Sequence, residues 1–85
     1  MVNVKKYIAY VLRDDCGRYY KGVTGCLDRR LAEHKSGHTI TTSRMSNLSL
    51  VYAEGFESFA EARKRELYFK SAAGRRYLRS KILPM

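Results

Sequence analysis

The fold of this chain follows from one stretch near its start, Tyr7-Ile8-Ala9-Tyr10-Val11-Leu12, and from a second of similar character, Tyr19-Tyr20-Lys21-Gly22-Val23-Thr24. β-Branched and aromatic residues are frequent in both stretches, as they are in strands. The segment between them contains Asp14-Asp15-Cys16-Gly17, whose residues favour a turn. Together the three segments predict a β-hairpin.

Downstream of the hairpin, the chain predicts a helix, a loop and a third strand. Residues 27–35 have the helical period of apolar side chains, and Ser36-Gly37 is a stop signal. Residues 38–47 are polar and rich in hydroxyl groups, which indicates a loop. The next segment, Leu48 to Ala53, has the composition of a strand.

Two further helices complete the prediction. Ser58 and Glu61 have the spacing of a capping box, in which the Ser58 hydroxyl accepts a backbone amide and Glu61 reaches back to the Ser58 amide. The helix that begins there is expected to run to about Ala73 and to end at Gly74, and residues 75–83 predict a short basic helix. The order β-β-α-β-α-α predicts one α/β (α+β) domain over the whole chain, residues 1–85, with a small three-stranded antiparallel sheet flanked by helices.

Length, charge and cysteine content narrow the class of protein. The 85 residues carry 17 Lys and Arg against 8 Asp and Glu, and this net charge of +9 indicates a polyanionic partner, with nucleic acid favoured over an anionic membrane surface. Apolar runs are far shorter than the roughly 20 residues of a membrane span, and a signal-peptide core is absent, so a cytoplasmic location is expected. The cysteines Cys16 and Cys26 have neither metal-ligand spacing nor the number that a disulfide framework needs, and reduced thiols are expected.

A carboxylate falls on the predicted apolar face of the Ser58 helix. At about 100° per residue, Glu66 lies within the stripe formed by Phe59, Ala62, Phe69 and Ala73. A carboxylate on a face that packs against a sheet is costly unless it is paired or bound to a cation. Glu66 is therefore a candidate metal ligand.

The first predicted helix shows the same feature, since Arg30 and His34 lie one turn apart at the border of its apolar face. The strands add Tyr10, which alternation places toward one face of the sheet, and Tyr20, whose neighbour Gly22 leaves open space beside its ring. One cleft that contains these phenols, guanidinium, imidazole and carboxylate would suit phosphodiester chemistry. The carboxylate would hold a hard divalent metal and the arginine would neutralise the phosphate. A phenol or the imidazole would transfer a proton.

Structural interpretations of the same residues remain open at this level. Glu66 can form a buried salt bridge with Arg30, which needs no metal. His34 alone is more often a hydrogen-bonded partner than a catalyst, and strand tyrosines are usually core or sheet-surface residues.

The motifs together resemble the GIY-YIG nuclease domain, in particular its small stand-alone members, which are related to the N-terminal nuclease domain of the DNA-repair excinuclease. The resemblance covers nearly the whole chain, in order. It rests on Ile8-Ala9-Tyr10, Tyr20-Lys21-Gly22, the segment 23–37, Leu50-Val51-Tyr52-Ala53-Glu54, and Ala60-Glu61-Ala62-Arg63-Lys64-Arg65-Glu66. Ile8 stands where the first motif has glycine, and Lys21 where the second has isoleucine.

This resemblance implies an endonuclease that hydrolyses phosphodiester bonds in DNA, with RNA as the alternative, and that needs one divalent metal, Mg²⁺ or Mn²⁺. Carried over by position, Tyr10, Tyr20, Arg30 and His34 are the expected catalytic residues and Glu66 the metal ligand. Tyr20 is preferred to Tyr10 as the general base. A phenol, with an ordinary pKa of about 10, needs cationic neighbours for that role, and Lys21, Arg30 and the metal are the candidates.

Substrate selection is expected to come from this module itself. Members of the family with known targets usually carry a separate DNA-binding domain, and this chain is expected to lack one. The loop 38–47, the basic tail or a partner protein would then select the substrate. The expected nucleic-acid contacts are Lys21, Lys35, Arg44, Arg75 and Arg76. Structure- or weakly sequence-selective cleavage in DNA repair or processing is the leading expectation, and a homodimer would allow both strands to be cut. A non-catalytic nucleic-acid-binding module of the same fold is the alternative, and a structural domain is the third.

Overall fold

A computed structural model describes residues 5–37 and 45–82. Its elements, in chain order, are β1 (Tyr7–Arg13), β2 (Tyr19–Thr24), α1 (Leu27–Lys35), β3 (Ser49–Phe56), α2 (Phe59–Lys70) and α3 (Ala72–Ile82). The order β-β-α-β-α-α and the α+β class with one antiparallel sheet are confirmed. Among the described helices, none has the length and apolar character needed to cross a bilayer.

The hairpin strand β1 lies at the centre of a three-stranded sheet of order β2-β1-β3, and both of its neighbours are antiparallel. In this register Tyr10 lies opposite Gly22 on β2 and Ala53 on β3. The pairing of β1 with β3 shifts between Val11 and Leu12. Strand β2 is consequently an edge strand, with one side of its backbone free of the sheet.

Helices cover the two faces of the sheet unequally. Ala9 and Val11 pack with Phe69 of α2 and with Leu78 and Ile82 of α3. On the other face, a smaller cluster contains Tyr10, Leu12 and Leu48, against which Leu27 and Leu31 of α1 pack. Because both faces are covered, four consecutive residues of β1 are buried, where a strand with one wet face would alternate.

The hairpin turn is held by a buried carboxylate. Asp14 accepts hydrogen bonds from the backbone amides of Cys16 and Arg18 and from the Arg18 guanidinium, at 3.0, 2.7 and 2.8 Å. Burial alone would raise the pKa of Asp14, but these hydrogen bonds and the Arg18 charge lower it. Gly17 completes the turn at φ +84°, a left-handed conformation that glycine adopts without strain.

The start of α2 matches the capping prediction in part. The Ser58 hydroxyl oxygen accepts the Glu61 amide at 3.2 Å, as expected. The Glu61 carboxylate, however, accepts from the Ser58 hydroxyl at 3.0 Å rather than from the backbone amide. The expectation that Phe59 faces the sheet is wrong, since its side chain is 55% exposed and packs edge-on against Tyr7, with ring centroids 6.1 Å apart.

The predicted end of this helix is also wrong. Helix α2 ends at Lys70, and Ser71, with an extended backbone, separates it from α3. The Ser71 hydroxyl accepts the Gly74 amide at 3.1 Å, which is the N-cap pattern. Gly74 lies buried inside α3, and a Cβ there would overlap the Tyr68 carbonyl oxygen. The glycine permits close contact between two helices rather than ending one, and Ala73 therefore leaves the predicted stripe.

Candidate active site

The ring of Tyr10 crosses the edge strand at a glycine. A Cβ at Gly22 would lie 2.6 Å from the Tyr10 hydroxyl oxygen, so only glycine leaves room for this phenol. The space that the sequence predicted beside Tyr20 is thus occupied by Tyr10, whose ring centroid lies 6.2 Å from that of Tyr20. Strand pairing therefore brings the two motif tyrosines together over β2.

Helix α1 brings a histidine to the same point. The Tyr10 hydroxyl and His34 Nε2 are hydrogen-bonded at 2.8 Å, and the rings of Tyr20 and His34 have centroids 4.9 Å apart. His34 is buried, and this burial, together with the nearby Arg30 charge, lowers the pKa of His34 below its ordinary value, against a smaller opposing effect of Glu33. The imidazole is therefore neutral at neutral pH.

Arg30, one turn before His34, completes this cluster. Its Nη1 donates to Glu33 Oε1 at 3.0 Å, and the Tyr10 and Tyr20 hydroxyls lie close to the guanidinium. The Tyr10 and Glu33 oxygens raise the pKa of Arg30 further above its ordinary value. The side chain is 34% exposed.

Tyr10 is held in its protonated form. Burial raises the pKa of Tyr10 to about 12, although the nearby Arg30 guanidinium opposes the change. Either the Tyr10 hydroxyl or the His34 ring can donate in their hydrogen bond, and the His34 tautomer decides which.

Glu66 approaches the cluster from α2. It lies in the buried stripe between Ala62 and Phe69 and is only 6% exposed. Its negative charge adds a minor part to the raised pKa of Tyr10, so the carboxylate acts on that phenol through its charge. The helical period thus identified correctly a carboxylate inside an apolar face.

The partners of Glu66 differ from the salt bridge that the sequence left open. Its two oxygens form ion pairs with Arg63 and, at 3.3 Å, with Lys70, on the same helix. Arg30 is paired with Glu33 instead. All three pairs have the spacing i,i+3 or i,i+4, and that local signal would have identified the partners of both residues.

Glu66 has the donor chemistry that a magnesium or manganese ion needs. Its carboxylate oxygens offer about four lone-pair sites, of which the two cations occupy a part. Mg²⁺ commonly uses one or two protein carboxylates and completes its shell with water and phosphate oxygens.

A second set of possible ligand atoms lies at the hairpin turn. Those of Asp14, Asp15 and Cys16 lie within 4.8 Å of one another. Both Asp14 oxygens already accept hydrogen bonds, and Asp15 accepts one from Asn47 at 2.8 Å. These acids are accounted for by the turn, which leaves Glu66 as the better candidate.

The predicted nucleic-acid contacts among the described residues lie on three elements, β2, α1 and α3. Lys35 is exposed at the end of α1, and Arg76 is exposed on α3. Lys21 points away from Tyr20, to the opposite face of β2, where it lies near Arg75 and Lys70. Lys21 therefore lies across β2 from the Tyr20 ring, whereas Arg30 lies close to Tyr20. The remaining candidate, Arg44, lies outside the described residues.

Comparison with known proteins agrees with this geometry. The model of the GIY-YIG catalytic domain matches residues 6–78. A UPF0213 protein of Enterococcus faecalis is 37% identical over 73 residues, which are 82% of this chain and 83% of that protein. A UPF0213 protein of Streptococcus pneumoniae is 43% identical over 67 residues, or 76% of this chain and 67% of that protein.

A solved structure is similar as well. The solution NMR structure of a UPF0213 protein from Bacillus halodurans has a TM-score of 0.54 and 31% identity, and the match covers 87% of this chain and 82% of that one. The matched region of the domain model includes Tyr10, Tyr20, Arg30, His34 and Glu66. By sequence match and fold, the chain belongs to the GIY-YIG catalytic domain family, a family of nucleases.

Proposed function

We propose that this protein is a metal-dependent endonuclease that hydrolyses phosphodiester bonds in DNA. One observation carries the proposal: the Arg30 guanidinium lies beside both motif tyrosines, while His34 is hydrogen-bonded to Tyr10 and Glu66 acts on Tyr10 through its charge. The Arg30 side chain is 34% exposed, and a phosphate can reach its guanidinium from solvent.

Arg30 has the role of stabilising charge on the phosphate. Within the described residues, one hydrogen bond, from Nη1 to Glu33, engages its five N–H donors, and the planar fork matches phosphate oxygens. The contacts to both tyrosines hold the fork in place before substrate binds. Pre-positioned donors of this kind stabilise the charge that develops in the transition state.

Tyr20 is the better candidate for accepting a proton from the attacking water. Tyr10 is fully buried and its pKa is raised to about 12, so it does not meet water and keeps its own proton at neutral pH. Tyr20 is half-buried and lies beside Arg30. Tyr10 then acts as a positioning residue, which orients His34 and Arg30.

Glu66 would hold a single Mg²⁺ or Mn²⁺ ion. When bound, the ion supplies positive charge against the phosphate oxygens on which negative charge accumulates. Arg63 and Lys70 restrain the two carboxylate oxygens of Glu66, so the side chain is oriented before a cation arrives. The same pairs also favour the second candidate function, a nucleic-acid-binding module without turnover, because they satisfy the carboxylate with no metal present.

The biological setting belongs to the same proposal. The net charge of +9 supports a nucleic-acid substrate, with DNA favoured over RNA, and structure- or weakly sequence-selective cleavage in repair or processing. Cys16 and Cys26 are free and exposed, which suits a reducing cytoplasm. A single domain over residues 1–85, targeting by a partner protein, and a homodimer for cleavage of both strands complete the proposal.

The test compares wild type with Glu66→Ala on labelled single-stranded, duplex, nicked and branched DNA, in Mg²⁺, Mn²⁺ or EDTA. We expect metal-dependent cleavage by wild type and a loss of about 10²-fold or more in Glu66→Ala, with binding retained. Glu54→Ala is the matched control, because Glu54 is also a partly buried carboxylate paired with arginine, but on β3. Binding without cleavage in every metal would favour the binding module, and full cleavage by Glu66→Ala would contradict the metal-ligand role.

A further inference from the structure

A cavity of about 170 Å³ opens between β2 and α3. Its lining residues come from both elements: Tyr19 and Lys21 from β2, and Arg75, Leu78, Arg79 and Ile82 from α3. Tyr19 and Lys21 alternate along the strand with Tyr20 and Gly22, so the cavity lies across β2 from the two motif tyrosines. This cavity is therefore separate from the candidate active site.

Positive charge is concentrated at this cavity. Lys21 Nζ lies 6.0 Å from the centroid of the Tyr19 ring. Burial lowers the pKa of Lys21, and the positive charges of Arg75 and Lys70 lower it further, as expected where like charges crowd together. Within residues 5–37 and 45–82, no carboxylate forms an ion pair with Lys21, Arg75 or Arg79. The charge complement of this cavity is consequently an anion from outside the described chain.

The cavity also has an apolar part that a simple phosphate site would not need. Leu78 and Ile82 are buried and form its floor, while Tyr19 is 37% exposed on an edge strand. An aromatic ring, an apolar floor and a cationic rim form the combination that binds an unstacked base together with its phosphate. A duplex backbone is bound through its phosphates and would use the cations alone.

Lys70 connects the cavity with the proposed metal ligand. Its ammonium group pairs with Glu66 at 3.3 Å, and its charge acts on Lys21. Tyr20 and Lys21 are consecutive residues that face opposite sides of one edge strand. A nucleic-acid strand that passes over this edge can therefore contact both places within a few nucleotides.

We propose that this cavity binds one unpaired nucleotide of the substrate, with the base against Tyr19 and the phosphate on Lys21 and Arg75. The protein would then select DNA that has a single-stranded segment beside the bond to be cut. The part of this inference that concerns cleavage rests on the proposed function. The binding part does not, and it is tested separately.

The experiment measures binding in EDTA, where no cleavage occurs, to two labelled DNAs with equal numbers of phosphates. One is a blunt duplex and the other a shorter duplex with a single-stranded overhang. We expect wild type to bind the overhang DNA more tightly. Tyr19→Ala should weaken overhang binding by roughly five- to a hundredfold, because it removes one base–aromatic stack, and should leave blunt binding unchanged. Tyr19→Phe should retain the preference, since stacking does not need the hydroxyl group.

Arg76→Ala is the matched control, since Arg76 is an exposed cation on α3 that does not line the cavity. If Arg76 contacts a phosphate, the variant should weaken binding to both DNAs equally. The slope of the logarithm of the binding constant against the logarithm of salt concentration should then fall by about one. Lys21→Ala should instead weaken overhang binding more than blunt binding. Thermal melts that match wild type would establish that each variant is folded.

The outcomes separate this inference from the proposed nuclease activity. Equal binding of both DNAs by wild type, or an unchanged preference in Tyr19→Ala, would overturn the nucleotide cavity. Cleavage with Mg²⁺ in either case would leave the nuclease proposal standing. An overhang preference that Tyr19→Ala abolishes, in a protein that cuts under no metal condition, would support the cavity and overturn the nuclease.

Discussion

The two faces of the sheet each carry a network of tyrosine hydroxyls around one arginine, but the networks are completed differently. On the α1 face, Arg30 contacts Tyr10 and Tyr20, and Tyr10 meets His34 at 2.8 Å. The carboxylate partner of this arginine, Glu33, lies on its own helix at the surface. The positive charge on this face is therefore partly available to a ligand.

On the opposite face the arginine is neutralised within the fold. Arg65 of α2 pairs with Glu54 of β3 at 2.8 Å, and its guanidinium carbon lies 4.7, 5.1 and 4.8 Å from the ring centroids of Tyr68, Phe69 and Tyr77. The Tyr52 hydroxyl donates to Glu54 at 2.6 Å, so its contact of 2.8 Å with the Tyr77 hydroxyl is one in which Tyr77 donates.

The contrast shows what separates a structural network from a reactive one built of the same residue types. Where an arginine pairs with a carboxylate from another element and lies against aromatic rings, the charge of the arginine holds those elements together. Where the carboxylate partner lies on the same helix, the arginine is held in position but keeps donors for a ligand. Matching residues of the two networks can be altered in pairs to test this difference.

The largest expected difference is between the two arginines. Arg30→Ala should lower kcat/KM for DNA cleavage by about 10²-fold or more, because it removes stabilisation of transition-state charge, with little change in stability. Arg65→Ala should leave cleavage by the folded protein unchanged but lower the free energy of unfolding by about 2 kcal/mol, because Glu54 and three ring contacts lose their partner. Cleavage kinetics and urea denaturation of both variants provide the measurements. A loss of cleavage in Arg65→Ala equal to that in Arg30→Ala would remove the distinction.

Two glycines give the next comparison. Gly74→Ala places a methyl group against the Tyr68 carbonyl oxygen, which only a backbone shift relieves, and we expect a loss of about 3 kcal/mol or more in unfolding free energy. Gly22→Ala meets the Tyr10 side chain at 2.6 Å and should cost about 1–3 kcal/mol. Only Gly22→Ala should also reduce cleavage by the folded protein, because Tyr10 must move away from His34. Urea midpoints and cleavage assays test both, and normal cleavage by Gly22→Ala would contradict the positioning role of Tyr10.

Removal of single hydroxyl groups should have smaller effects. Tyr10→Phe removes the hydrogen bond between Tyr10 and His34 Nε2, and Tyr52→Phe removes those to Glu54 and Tyr77, so each should lose about 1–2 kcal/mol of stability. Cleavage should fall in Tyr10→Phe and stay at the wild-type rate in Tyr52→Phe. Parallel melts and initial rates check this. Equal rates in the two variants would show that the Tyr10–His34 contact is only structural.

The smallest effect is a difference in pH dependence. The folded-state pKa of His34 is lowered by burial and by Arg30, so the unfolded chain binds more protons and stability falls as pH drops below about 6.5, the ordinary value. Burial raises the pKa of Glu54, but Arg65 and Tyr52 lower it by more, so its stabilisation is lost only as pH falls below its ordinary value of 4.5.

The two windows can be measured separately by urea denaturation as a function of pH. His34→Gln should reduce the loss of unfolding free energy between neutral pH and about pH 5. It should leave the loss below pH 4.5, called here the acid limb, unchanged. Glu54→Gln should reduce the acid limb, which Asp14 shares because its pKa is also lowered. If His34→Gln loses as much stability as wild type between neutral pH and about pH 5, another group causes that loss.

Much of the fold is predictable because the responsible signals are local. Strand composition and turn residues identify the hairpin, and the helical period places Glu66 inside an apolar stripe, within a few residues of chain in each case. The end of α2 was predicted wrongly for the opposite reason. Gly74 is a stop signal when only its neighbours are considered, but the carbonyl oxygen of Tyr68 on the preceding helix is what requires a glycine.

The sequence by itself determined the order of elements, the excess of positive charge, and which residue types are available for chemistry. Tertiary structure alone decided that Gly22 makes room for the Tyr10 ring, that Arg65 pairs with Glu54 of another element, and that Lys21 joins Arg75 at a separate cavity. These outcomes depend on contacts between elements far apart in the chain, where the available space and the nearest opposite charge are set by packing rather than by local pattern.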